Sequence, residues 1–247
     1  VTRGKIHTQI YPVEVTGMLP PYPPLLKLMN HFGIRALDDI FAWVGLNPYP
    51  AEDATGVYAV PYPVGRRPDT RMGLGFIETA DGKGFSLSCA ECHSANLFGK
   101  TVLGMTNRFP RANEVFLAAI HGVPLISDSM LRGAHATEGE VRMFERMKEN
   151  LKSVAAKKPA VFGLDTSLAQ VALSLAKRNL DAYATRNDEI AAHPRPDPLD
   201  TAVADSKPAV WWNLKFKNRW LSDGSVVSGS PILTNILWNE IGRGGGT

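Results

Sequence analysis

Four stretches of this chain place their apolar residues at helical spacing. The first, "LLKLMNHFGIRALDDIFAWVG" from Leu25 to Gly45, has a wide apolar face and predicts a core-facing helix. Lys27, Arg35, Asp38 and Asp39 break it too often for a membrane span, although a helix resting on a membrane surface is an alternative reading. In "RANEVFLAAIHG", Val115, Phe116, Ala119 and Ile120 share a face and Gly122 is placed to stop a helix of about three turns. Thr137 and Glu140 form a capping box ahead of "VRMFERMKENLKSVAAKK", where Met143, Met147, Leu151 and Val154 make one stripe. The fourth, "TSLAQVALSLAKRNLDAYA", opens on a Thr166 or Ser167 cap and turns Leu168, Val171 and Leu175 inward.

The intervening segments are irregular. "GMLPPYPPLL" is too rich in proline for a helix or an inner strand, so residues 1–24 read as an arm laid across the body. The loop "NPYPAEDATGVYAVPYPVGRRPDTRMG" is long enough to cover something. "GLGFIET" reads as a short strand, and "DGKG" as a reversal with the next motif directly after it. Residues 192–208 are again proline-rich, the chain closes in glycines, and no repeat is present. These patterns predict a mainly α fold with long loops and a proline-rich N-terminal arm. The expected division is an arm, helix and loop over 1–70 packing on a body over 71–247.

Composition narrows the class. With 247 residues, 44% hydrophobic and 21% charged, the chain can bury a core without cross-links and reads as a soluble globular protein. Its +3 charge is scattered among acidic neighbours, which excludes a nucleic-acid stripe. The start at Val1, with no charged-then-apolar leader, fits a processed secreted protein or a trimmed segment.

The only two cysteines, Cys89 and Cys92, stand three apart with His93 directly after them, in "SCAECHSANLFG". Chance would give that arrangement on the order of 2 times in 10,000. C-x-x-C-H is the attachment signature of c-type haem, in which both thiols join the porphyrin as thioethers and the imidazole reaches the iron. Structural zinc needs four ligands, usually from two pairs, and the chain has no second cysteine pair. A thioredoxin-like dithiol should stand between a buried strand and a long amphipathic helix, yet "HSANLFGKTVLG" follows with two glycines. One covalent haem c, and with it a periplasmic or otherwise extracytoplasmic location, is the expectation.

"SLSCAECHSANLFG…LGMTNRFPRANEV", followed by "KPAVWWNLKFKNRWLSDGSVVSG", resembles the cytochrome c fold as elaborated in bacterial di-haem cytochrome c peroxidases and rubber-oxygenase-like proteins. The resemblance runs from about Gly73 to Gly242. It implies a cytochrome c-like haem domain over 71–247 and brings Trp211, Trp212 and Trp220 to the distal side of a haem, with Trp211 and Trp212 as candidate catalytic residues. Where the peroxidases have a residue able to bear a ligand before the Asp223-Gly224 pair, this chain has Leu221 and Ser222. Those proteins carry two haems and this chain has one motif, so a second haem half either follows Thr247 or is lost.

For the iron, His93 is the expected proximal ligand, with Met130 or His135 in "SDSMLRGAH" as candidates for the sixth position. Met105 follows the motif closely, on the proximal side. Met143 and Met147 belong to a core stripe, and His121 to a helix end. Arg108 and Arg111 are candidates for pairing with haem propionates. Three functions compete: electron transfer by Fe(II)/Fe(III) cycling, a peroxidase- or oxygenase-like oxidoreductase with an open distal site, and a haem-bearing subunit of a larger redox assembly. The expected partner is a redox protein or such an assembly.

Overall fold

The computed structural model describes residues 2–10, 19–33, 37–51, 55–152, 158–161, 163–164, 207–220 and 226–227. These are 46% helical and 17% strand, with seven helices and three two-stranded antiparallel sheets, the last only two residues long. The expectation of a mainly α, cytochrome c-like fold is therefore overturned: the described chain is mixed α/β. Strands β1 to β4 are four to six residues long and close locally as hairpins, a length at which alternation leaves little trace in the sequence.

The proline-rich arm is also corrected. Helix α1 (Thr2–Ile10) precedes the prolines, and α2 (Tyr22–His31) begins among them. Pro23 and Pro24 fall in the first turn of α2, where backbone N–H groups have no intrahelical carbonyl to reach, so their missing donors are not felt. The single helix expected from Leu25 to Gly45 is two: the Phe32 and Gly33 N–H groups bond back to the Leu28 and Asn30 carbonyls and end α2. Helix α3 (Leu37–Val44) starts afresh.

Strands β1 (Leu74–Thr79) and β2 (Gly82–Leu87) pair from Leu74 opposite Leu87 to Thr79 opposite Gly82, with the reversal at Ala80 and Asp81. The cysteines do not follow that reversal directly. All of β2 intervenes and carries Ser88 back beside Gly73, whose carbonyl accepts from the Ser88 N–H at 2.7 Å. Then come a single helical turn, α4 (Cys89–Cys92), and a hairpin of β3 (Ser94–Leu97) and β4 (Lys100–Leu103). Helices α5 (Ala112–Gly122), α6 (Asp128–Gly133) and α7 (Glu138–Leu151) follow. A two-residue pairing of β5 (Arg219–Trp220) with β6 (Val226–Val227) lies late in the chain. The helix expected from Thr166 lies outside the described residues.

The capping box closes both ways: Glu140 N–H donates to Thr137 Oγ1 at 3.2 Å and Thr137 N–H to Glu140 Oε2 at 2.8 Å. Behind it Met143, Met147 and Leu151 are buried, as the stripe predicts.

Three apolar clusters result. Leu131, Val141, Phe144, Met147 and Leu151 join α6 to α7, with Leu25 of α2 packed on them. Val44, Leu46 and Leu74 join α3 to β1. Tyr49, Val60, Met72, Ala90 and Leu103 pack under α4, with Trp211 against them. The cysteine turn thus sits on a core built from both sides of the expected boundary at residue 70. Among the described residues no helix is long and apolar enough to cross a membrane.

Candidate functional site

Helix α4 is too short to be stable by itself, since its first hydrogen-bonded turn costs more chain entropy than it returns. Local bonds and tertiary ones together account for every carbonyl from Cys89 to His93. Cys89 O accepts from His93 N–H at 3.0 Å and Ala90 O from Ser94 Oγ at 2.6 Å. Asn107, itself buried, takes the next two: its side-chain amide donates to Glu91 O at 2.6 Å and its backbone N–H to Cys92 O at 2.9 Å. Gly104 N–H reaches His93 O at 2.7 Å. At the other end Ser88, the N-cap, donates its hydroxyl to the Thr8 and Gln9 carbonyls of α1 at 3.1 and 2.8 Å, tying α1 to the turn.

Three residues apart on one turn, Cys89 and Cys92 project from the same face, and no disulfide joins them. Both are half-buried. Burial pushes the Cys89 thiol up, against a backbone hydrogen bond at its own residue. A dithiol oxidoreductase needs the opposite, a thiol lowered toward neutrality so that a thiolate can attack. Cys92 Sγ lies 3.6 Å from Glu91 Oε2.

His93 is the C-cap of the turn. Its ring lies 5.4 Å from that of Trp211, the planes tilted by 35°, and its Nδ1 is buried without a hydrogen-bond partner. Burial lowers its pKa to about 4, and the Ala209 backbone acts in the other direction. The imidazole is therefore neutral at pH 7, with a lone pair to offer an electrophile.

A pH dependence follows for the polypeptide by itself. Between about 6.5 and about 4 the unfolded chain takes up a proton at His93 that the folded chain refuses, so stability falls as the pH drops through that window. The expected loss is on the order of 3 kcal/mol, complete near pH 4 and largely removed in His93→Gln. Urea unfolding across this range checks it, and a flat stability from pH 7 to 4 would contradict it.

Trp211 is held by its own segment. Its N–H donates to Gly104 O at 2.9 Å, Lys207 Nζ bonds the Asn107 and Arg108 carbonyls at 2.8 and 2.7 Å, and Thr106 Oγ1 bonds Pro208 O at 2.6 Å. The structure therefore brings Trp211 onto the imidazole, whereas Trp212 next to it is 53% exposed. Arg111 directs its guanidinium to the Trp43 carbonyl at 2.6 Å and over the Trp43 ring. Arg108 is exposed and lies over Phe109. Met130 stands on α6, which packs against α2 and α7, and His135 follows that helix as an exposed residue at φ 64°. Leu221 and Ser222 lie outside the described residues.

Sequence reasoning missed Asn107, Ser94 and Ser88, which fix the turn, because residues that bond a distant backbone carry no local signature. It also passed over Met72, which is fully buried in the cluster with Ala90 and Trp211. A polar cavity of about 350 Å³ lies elsewhere, beside Asp38, Tyr49, Arg67 and Arg71. Its two guanidiniums are already bonded, Arg67 to Tyr49 O and Arg71 to Asp38.

Among the described residues no three His, Cys, Asp or Glu side chains form a set for a bare metal ion. The turn offers instead two thiols for covalent bonds and one neutral imidazole for a metal that brings most of its own ligands. These are the donor groups that a covalently attached haem would use. No family model, curated protein or solved structure matches this chain.

Proposed function

We propose that the Cys89–His93 turn carries one covalent haem c and that the chain is an extracytoplasmic electron-transfer protein. The observation that supports this best is the joint placement of two thiols without a disulfide on one helical face and a neutral imidazole at the end of the same turn. Cys89 and Cys92 would hold the haem by thioethers and His93 would ligate its iron; when bound, the group supplies one-electron Fe(II)/Fe(III) chemistry.

The chain's own residues prepare the site. Asn107 and Ser94 lock the turn through its carbonyls, so both thiols and the imidazole keep one relative geometry. Trp211 covers one side of the imidazole, and burial keeps that ring unprotonated. A rigid ligand set lowers the reorganisation that accompanies each change of iron charge. The redox partner is a second protein or a larger electron-transfer assembly, and the location follows from the compartment in which haem c is attached.

The test is haem retention. Protein produced in a host with a c-type maturation system should keep its haem through denaturation and acidic organic extraction. Haem that extracts, or protein that emerges without any, overturns the reading.

A further inference from the structure

The segment from Lys207 to Trp220, "KPAVWWNLKFKNRW", holds four basic residues and no acidic one, in a chain whose charges otherwise nearly balance. Its start is pinned to the loop that follows the cysteine turn, by Lys207 Nζ on the Asn107 and Arg108 carbonyls, Thr106 Oγ1 on Pro208 O and the Trp211 N–H on Gly104 O. From there a 3-10 turn (Trp211–Phe216) carries the chain outward. Trp211 lies 5.4 Å from the His93 ring and packs against the cluster under α4, whereas Trp212 is 53% and Phe216 77% exposed. Lys207, Lys217 and Arg219, which flank them in the chain, are exposed as well, and so is Arg108. Large surface aromatics among cations, with no carboxylate in the segment, have the make-up of a contact face.

We infer that this face, centred on Trp212 and Phe216, docks a redox protein whose own contact surface is acidic around an apolar patch. The inference rests on the haem reading above. Cations meeting carboxylates steer such a partner in and fix its orientation, and the exposed indole supplies the buried contact once it arrives. Trp212 is joined in sequence to Trp211, which lies on the His93 ring, so a partner seated there has a short path of packed atoms to the iron ligand. One electron passes from ferrous iron to the partner's oxidised centre; no bond forms or breaks, no proton moves, and the indoles are crossed without being oxidised. A lipid surface also accepts aromatic and basic side chains, but it gains nothing from the position of Trp211 against the imidazole.

Stopped-flow oxidation of the ferrous, haem-loaded protein by an acidic blue-copper protein tests it. For the wild type the second-order rate constant should fall about tenfold or more between about 10 and about 300 mM salt. The double variant Lys217→Glu, Arg219→Glu should lower it about tenfold at low salt and flatten that dependence, and Lys217→Glu alone shows part of the effect if the double variant does not fold. The same change of net charge at Arg132 and Lys152, exposed on α6 and just beyond α7, should alter it less than about threefold. Trp212→Ala should lower it about fivefold at every salt concentration, with Trp212→Phe recovering most of the loss. Reversal at Lys217 and Arg219 that harms no more than reversal at Arg132 and Lys152 overturns the inference, as does an unchanged rate in Trp212→Ala. Binding to phosphatidylserine vesicles that these variants abolish, with oxidation rates left at the wild-type value, assigns the face to lipid and overturns it too. Wild-type protein without covalent haem overturns the underlying reading instead, so the two failures are distinguishable.

Discussion

Gly73→Ala is expected to destabilise the protein by about 3 kcal/mol or more and to displace the cysteine turn. Gly73 has φ 98°, and a Cβ built there would lie 2.6 Å from Glu91 N, 2.7 Å from Glu91 Cα and 2.8 Å from a Leu46 methyl. The left-handed conformation alone costs a non-glycine residue on the order of 1–2 kcal/mol. The overlap adds at least as much, because two of the three atoms are backbone and cannot rotate away. Relief requires α4 to move off β1, and Glu91 lies between the two cysteines. Gly99→Ala is the internal control: Gly99 has φ 80° with nothing within 4 Å, so only the conformational cost, about 1 kcal/mol, should appear. Urea unfolding of both variants, with covalent haem measured per chain, checks the prediction. Equal effects at the two glycines would show that β1 and α4 do not approach as closely as described.

The second large effect is on the cofactor. Each single change, Cys89→Ala or Cys92→Ala, should leave haem held by one thioether and lower the yield of haem-bearing protein several-fold. The double variant should hold none through acidic organic extraction. His93→Ala should keep both thioethers but lose the strong proximal ligand, so its ferric spectrum should change and the iron should open to imidazole added in solution. Asn107→Ala separates position from ligation. It removes the donor to Glu91 O without touching thiol or imidazole, and should lower haem yield while any haem attached keeps the wild-type spectrum. A wild-type spectrum from His93→Ala would refute His93 as the iron ligand, and full haem retention in the double cysteine variant would refute covalent attachment.

Local rules carry far in this chain where the controlling groups are neighbours in sequence. Thr137 and Glu140 are three apart, so the start of α7 is visible in the letters, as is its stripe of Met143, Met147 and Leu151. The reversal at Asp81 and the end of α5 at Gly122 are of the same kind. Prolines mislead, because what they forbid depends on position within a helix: Pro23 and Pro24 begin α2 where mid-helix prolines would break it. Fold class misleads too, since the four-residue strands β3 and β4 exist through each other and not through any pattern within either.

The presence of two thiols and an imidazole within five residues, at 89 to 93, was visible in the sequence alone, because one turn of chain suffices to hold them near one another. What surrounds them was decided by tertiary structure. Arg111 turned to Trp43, Met130 and His135 went to α6 and its exposed end, and Trp211 came to rest on His93 through the Gly104 carbonyl. Asn107 reached Glu91 from 16 residues after it, and the Gln9 carbonyl reached Ser88 from 79 residues before it. The physical reason is the same in each case: a buried polar group must be satisfied by whatever the fold brings near, and the sequence records the residue without recording its neighbour.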